Sequence, residues 1–425
     1  MYPIPTFGEV DLRAGMVPLT LVALLAAPLL AAQDSPQAAP LAAREQIPAA
    51  KPGQDEGAKP PAPAPNPPRW YERISLSGFL AADTRWRRAG EDAEASTTSD
   101  LYLRAFELGI EADVDGWLSA TAVINSEYVG DPLNGGEGAV VVDEAHLDID
   151  VPRTPLYFVI GKRTQPFGLF DTSLVTDPLV QDAYETKTVG LTVGVKAPRE
   201  TDLSITAYKG RALAGQLARS SLLGPESPDL PEIPVARLDS WIVSGLSSPA
   251  GRNWRLSAAF ASEPGLERRL TTLCLGSNLS LPFDEHIELN AEYMKALRRD
   301  GVPDLDRSFR EQALSATVTY LLIAPKTRVS AGRNYRARRK RRFAHPVLAA
   351  LRFEALDDGG RAAALGTWTV RNRISLGGRY TFYRLGDINA SMSVEYRRQT
   401  IRVSPVVAGP IPQAHELYLR FGLDF

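Results

Sequence analysis

A single cysteine, Cys274, and four histidines are all that this chain of 425 residues offers to redox, metal or nucleophilic chemistry. One thiol cannot form an intrachain disulfide, and it reads as one more side chain on a strand. His146, His286, His345 and His415 lie far apart in the sequence, and neither a G-x-S-x-G elbow nor an H-x-S pair accompanies them. The signature of a Ser-His hydrolase is therefore missing, and no enzymatic activity is expected. His146 does stand between Glu144 and Asp148 on one strand face, but two-residue steps separate such side chains by about 6 to 7 Å. That is long for ligands of one ion, so neither metal nor cofactor is expected and His146 reads as a residue lining a polar face. Charge of one sign is missing too: 48 basic against 50 acidic residues exclude nucleic acid as a partner on whole-chain electrostatics. Past residue 32 no apolar run is long enough to span a bilayer as a helix.

The apolar run that is present comes early. Val17 to Ala32 (VPLTLVALLAAPLLAA) is uncharged and is followed by Gln33, Asp34 and Ser35, the layout of a secretory h-region with a small-residue cleavage site. Residues 1–32 are expected to be a signal peptide cleaved after Ala32, with Met16 a second candidate start. A permanent membrane anchor is the weaker reading, since the run is short and holds Pro28. Residues 33–69 contain ten prolines. Such a segment cannot bury enough apolar surface to offset its ordering entropy, and it is expected to be a disordered periplasmic linker.

From residue 70 onward the pattern is period two. Phe106, Leu108, Ile110, Ala112 and Val114 alternate with Glu107, Glu111 and Asp113; Asp115-Gly116 turns; then Leu118, Ala120, Ala122, Ile124 and Tyr128 alternate with Ser119, Thr121, Asn125 and Glu127. This is a hairpin with one oily and one wet face. The rhythm repeats with short turns at 152–155, 197–200, 248–252, 282–286, 324–326 and 384–387, and longer polar connections between them. Seven turns and eight loops predict sixteen strands, or eighteen if residues 337–366, with LAALRFEAL, add a hairpin. The 352 residues from Ile74 to Phe425 leave room for sixteen strands, each needing about 9 to 11 residues to cross a membrane. The fold class expected for 70–425 is all-β: a transmembrane antiparallel up-and-down β-barrel without a plug domain. A soluble β-sandwich is the alternative, but Ala120, Ala122, Ala291, Ala316 and Ala331 on the oily faces are slight for a sandwich core. Tyr128, Tyr293 and Tyr320 have the parity of an outer aromatic girdle.

The last strand alternates Leu417, Leu419, Phe421, Leu423 and Phe425 with polar residues, and it resembles the closing strand of bacterial outer-membrane barrels, in which a terminal aromatic is an assembly signal for the barrel assembly machinery. Phe425 would have that role. Barrel closure would set an acidic inner wall (Glu107, Glu111, Glu127, Glu144, His146, Asp148) near a basic one (Arg371, Arg373, Arg379, Arg397, Arg420). Either a transverse field crosses the lumen or scattered charges keep it wet. Gly161 to Thr188 reads as a structured loop folding inward, with Lys162 and Arg163 facing Asp171, Asp177, Asp182 and Glu185 at a constriction. Arg336, Arg338, Arg339, Lys340, Arg341 and Arg342 form the one strong charge run, placed by strand counting at the extracellular mouth. There it would concentrate anions, hold lipopolysaccharide phosphates, or be a solvated loop tip.

A resemblance becomes specific between Tyr157 and Val195. Gly161, Lys162, Pro166, Phe167 and Gly168, followed by Asp177-Pro178-Leu179 and Glu185-Thr186, resemble the pattern of the LbtU-type outer-membrane siderophore porins, and Glu144 to Leu147 (EAHL) fits the same pattern. The similarity covers roughly residues 101–210. It implies a plugless channel in the bacterial outer membrane that passes hydrophilic, anionic solutes, with a ferric siderophore as substrate and a homotrimer as a common assembly among such barrels. General, phosphate-type and carbohydrate-type porins are the alternatives, and a structural or lipid-modifying barrel is the competing class.

Overall fold

A computed structural model describes residues 70–89, 96–131, 138–198, 200–220, 222–223, 237–249, 253–281, 286–302, 305, 307–323, 346–385, 388–404 and 414–425. The expected signal peptide and linker lie outside the described residues. Sixteen strands form one closed antiparallel barrel in chain order. They are β1 (Ile74–Ala89), β2 (Ser96–Asp115), β3 (Leu118–Val129), β4 (Val141–Asp150), β5 (Leu156–Thr164), β6 (Lys187–Ala197), β7 (Thr201–Tyr208) and β8 (Ser240–Ser247) in the first half. The second half holds β9 (Trp254–Glu263), β10 (Leu270–Ser280), β11 (Ile287–Arg298), β12 (Gln312–Ile323), β13 (Val347–Asp357), β14 (Trp368–Leu385), β15 (Ile388–Val403) and β16 (Ala414–Asp424). Among the described residues, a 3-10 turn (Trp70–Arg73) precedes β1, and there are three short α-helices: α1 (Leu179–Tyr184), α2 (Ala212–Arg219) and α3 (Arg361–Leu365).

Alternation decides which face is which. Leu76, Phe106, Leu147, Ile205, Leu376 and Phe421 stay exposed around the outside, while Asp83, Thr192, Thr317, Glu354 and Glu395 are buried within. No helix of the described residues is long and apolar enough to cross a membrane. A closed barrel with an apolar exterior and a polar interior satisfies every backbone group in lipid, and it places the protein in the bacterial outer membrane. Closure is made by β1 against β16. Phe425 completes it: its N–H donates to Gly78 O at 3.0 Å and its carbonyl accepts from Gly78 N at 2.7 Å. A Cβ at residue 78 would stand 2.2 Å from the Phe425 ring, so the ring lies where only glycine leaves room.

One strand assignment is corrected. The expected long connection 337–366 contains a strand: β13 is Val347–Asp357 and holds LAALRFEAL. Leu351 and Phe353 point outward there and Arg352 and Glu354 inward. Ile323, where β12 ends, and Val347, where β13 begins, lie at the barrel end that also carries the short turns. The basic run Arg336 to Arg342 lies outside the described residues, but its bracketing residues, Ile323 and Pro346, belong to that end.

Candidate functional site: a loop clamped inside the barrel

The connection from β5 to β6 folds into the lumen. Gly161 has φ +136°, and a Cβ there would stand 2.2 Å from the Ala145 carbonyl, so glycine permits the close pairing with β4 just before the chain departs. Phe167 then turns inward, fully buried and tilted against Tyr184 of α1 with ring centroids 6.2 Å apart. Leu179, Val180 and Ala183 join them in an apolar core with Leu213 and Leu217 of α2 and with Ile242, Cys274 and Met294 from the wall. A loop that buries so much apolar surface on itself and on one side of the barrel is a packed element. The amphipathic pattern of residues 165–186 has its explanation here.

Polar anchors fix it in place. Glu292 on β11 accepts from Leu169 N (2.5 Å) and Phe170 N (3.0 Å). Glu395 on β15 accepts from Thr176 N and Thr176 Oγ1, both at 2.7 Å. Glu354 on β13 accepts from the first helical N–H of α1, that of Leu179. Tyr184 donates to Glu311 at 2.9 Å. Between Glu354 and Glu395 sits Arg352, itself fully buried, which donates to Thr176 O (2.8 Å), Thr176 Oγ1 (2.7 Å) and Thr172 Oγ1 (3.1 Å). Buried carboxylates accept the loop's otherwise orphaned backbone donors, satisfying groups that would be costly to leave unpaired. In α2 the same device recurs, with Leu213 N and Ala214 N donating to Glu263 at 2.8 and 3.0 Å. Sequence reading did not single out these glutamates. Glu292, Glu354 and Glu395 each stand alone among apolar or aromatic neighbours (Ala-Glu-Tyr, Phe-Glu-Ala, Val-Glu-Tyr), a signal that could have found them.

The expected constriction residues separate. Arg163 faces inward and donates to Thr192 Oγ1 at 3.0 Å. Lys162 does not share its face: it pairs across to Ala145 and Val189, both on the outer side, and donates to Val142 O at 2.6 Å. Adjacent residues of a strand point to opposite faces, so Lys162 is removed from the constriction. Asp177 meets Arg104 at 3.0 Å and Asp182 meets Arg373 at 2.7 Å. Asp171 lies 3.4 Å from Arg255, and Glu185 accepts from Gln181 at 2.8 Å. Burial pushes the Asp182 carboxyl above its ordinary range against the pull of Arg373, and burial raises Glu185 against its Gln181 bond.

On the walls, Glu144 accepts from Thr164 Oγ1 at 2.6 Å, His146 lies 3.2 Å from Asp148, and Glu127 accepts from Asn125 at 3.0 Å. Glu107 stands cross-strand from Asn125, and Glu111 is exposed near the short-turn end. No group of three His, Cys, Asp or Glu among the described residues could hold a metal ion. The basic wall is largely paired: Arg397 with Glu416 (2.5 Å) and Arg420 with Asp83 (2.7 Å), while Arg371 and Arg379 are exposed.

Arg104 and Tyr128 are the wall residues that parity misplaces. The β1–β2 register shifts by one residue at Ala81/Ala82, leaving Arg104 as an extra residue, and Tyr128 adopts φ 56°. Both turn inward. Tyr128 therefore leaves the expected outer girdle, stacks on Tyr102 at 6.2 Å, and lies under the Arg104 guanidinium at 4.2 Å. Tyr320 is exposed on the outer face as that girdle requires.

Comparison with known proteins agrees on the fold. The outer-membrane channel DcaP of Acinetobacter baumannii superimposes with a TM-score of 0.55 at 12% identity, over 83% of this chain and 97% of its own. The anion-selective porin of Comamonas acidovorans gives 0.51 at 9%, over 83% and 99%. OprB of Pseudomonas putida gives 0.51 at 10%, over 83% and 94%. The fold is that of the outer-membrane porins. No family model matches the sequence. A UPF0422 protein of Coxiella burnetii is 22% identical over 259 residues, 58% of this chain and 53% of that protein, so the chain spans about half the length of the curated relative it matches.

Proposed function

We propose that the protein is a passive channel for hydrophilic solutes, narrowed by the loop between β5 and β6. The observation that carries this reading is the loop itself. It is docked against β9 to β15 through Glu292, Arg352, Glu354 and Glu395, and it leaves a lumen wall bordered by β16 and β1 to β6 rich in charged residues. The channels and porins named above share the architecture, which supports the reading at the level of fold.

Which solute passes is a finer proposal. The LbtU-type pattern of Gly161 to Thr186 favours a ferric siderophore of the polycarboxylate type, an anion that the arginines of the wall would contact bidentately. Single-channel recording of the refolded protein in a KCl gradient tests both levels. Conductance steps are expected, with block by a ferric citrate-type siderophore. Steps indifferent to it would leave a general, phosphate- or carbohydrate-type porin, and no steps at all would overturn the channel. A homotrimer, contact with lipopolysaccharide and Phe425 as an assembly signal belong to the same proposal, each testable by cross-linking in outer membranes or by deleting Phe425.

A further inference from the structure

The strands that close the barrel carry two rows of charged side chains in one register, the first facing in and the second facing out. Inside, Glu416 of β16 stands between Arg87 of β1 and Arg397 of β15, 3.6 and 2.5 Å from their guanidiniums. Outside, one residue along each strand, His415 stands between Arg88 and Arg398. An acid neutralises the inner arginines. Among the described residues of the outer row, and of the row of Ser99, Trp86, Leu417, Tyr396 and Leu376 beside it, there is no acid. Arg88 and Arg398 are exposed and His415 is half-buried, with the Tyr396 hydroxyl 2.6 Å from its Nδ1. With that hydroxyl donating, the imidazole holds its proton on Nε2. Both rows lie at the end of the barrel where connections 90–95 and 404–413 leave the strands, the extracellular side of such barrels. Trp86 and Tyr396, 41% and 44% exposed, are aromatics of the kind that sit at the lipid–water boundary. The cations stand one strand step, about 6 to 7 Å, beyond them, at the depth of the headgroups.

We infer that Arg88, His415 and Arg398 form a binding site for a phosphate group of the outer leaflet's glycolipid, lipopolysaccharide. The inference gives a site to the lipopolysaccharide contact proposed above, and it rests on the barrel's place in the outer membrane, not on conductance. Arg88 and Arg398 flank β16, so their Cα atoms are two strand spacings apart, about 9 to 10 Å. A phosphate over His415 is within reach of both side chains, and each guanidinium can give it two parallel N–H bonds. Without an anion the row sets cations side by side on the pleated face, which is unfavourable. A bound phosphate supplies from without the charge that Glu416 supplies within. The acyl chains of the same molecule then lie over Trp86, Leu417 and Tyr396, an apolar face that a free phosphate ion would leave uncovered.

Native mass spectrometry of the folded full-length protein with lipid A, the phosphorylated anchor of lipopolysaccharide, tests the site. Wild type is expected to retain lipid A, and its dephosphorylated form should bind at least about tenfold more weakly, the loss of one charge-assisted bond. Arg88→Gln with Arg398→Gln should lower lipid A to the level of the dephosphorylated form, while Lys295→Gln, an exposed cation on β11, should change nothing. A photo-crosslinking residue in place of Leu417 keeps all three side chains. It should capture lipid A far more often than one in place of Val243, exposed on β8 at the opposite wall, and this reads the site even if the double variant does not fold. Equal capture at the two positions, equal binding of both forms of lipid A, or displacement by an equal concentration of phosphatidylglycerol or inorganic phosphate would overturn the assignment. A barrel that holds lipid A but conducts no current leaves this inference standing and refutes the channel; a conducting barrel that does not hold lipid A refutes this inference alone.

Discussion

Replacing Arg352 by alanine should release the constriction loop. The side chain is fully buried, with Nε 3.2 Å from Glu354 and one terminal nitrogen 3.5 Å from Glu395, and it gives three further bonds to Thr172 and Thr176. Removing it leaves two carboxylates buried without their cation. Breaking a buried pair by deleting one partner costs about 3 to 5 kcal/mol. Here the loop can escape that cost by undocking, because Thr176 and Leu179 donate to the same carboxylates. At about 1.4 kcal/mol per factor of ten, the docking equilibrium moves by a factor of about 10² to 4 × 10³ toward the undocked state. Single-channel conductance should rise with larger open-channel noise, and a protease should cut between residues 165 and 186 in the folded barrel. Arg352→Lys keeps the charge but loses the planar fork and should lie between the two. If Arg352→Ala kept both the wild-type conductance and a protease-resistant loop, the clamp would not be what holds it.

Arg163→Glu should shift the reversal potential toward cations, whereas Lys162→Glu should leave it unchanged, since the two residues lie on opposite faces of β5; an equal shift from both would refute that placement. Acidification should move selectivity toward anions at a pH above the ordinary carboxylate range, because burial raises both Asp182 and Glu185. The sign is fixed: a raised carboxyl disfavours the docked loop when ionised and loses that penalty as pH falls through its folded value, so the loop should also dock more firmly in acid. Asp182→Asn should remove part of the shift, measured as reversal potential against pH. Gly161→Ala should destabilise the barrel by about 1 to 3 kcal/mol, the cost of a side chain at positive φ, read as a lower temperature of heat-modified mobility on a gel; an unchanged transition would show that β4 and β5 can separate at Ala145 without cost.

The architecture was legible because lipid imposes it. Every membrane-crossing strand must show an apolar residue at each second position, so period two, the even strand number and the inward loop all follow from residue order. What was illegible is local. Turn counting set residues 337–366 in a loop, although LAALRFEAL there alternates as β13 does (Val347–Asp357). Lys162 and Arg163 were read as a pair because both are cations, although strand geometry separates any two neighbours.

Arg104 and Tyr128 show why such errors gather at the candidate site. A perfectly alternating β2 would turn Arg104 into lipid, where a central Arg costs ~2 to 4 kcal/mol in a barrel. The one-residue bulge opposite Ala81 and Ala82 turns it inward instead, and the left-handed backbone of Tyr128 brings a ring beneath it. Neither deviation improves the barrel as a barrel: a bulge leaves a ladder group unpaired, and a bulky residue at positive φ is strained. Together they deliver a guanidinium across the lumen to Asp177. Alternation is what the membrane dictates, so a break in alternation that ends on a charged contact inside the lumen marks a residue placed by contacts within the barrel rather than by the lipid.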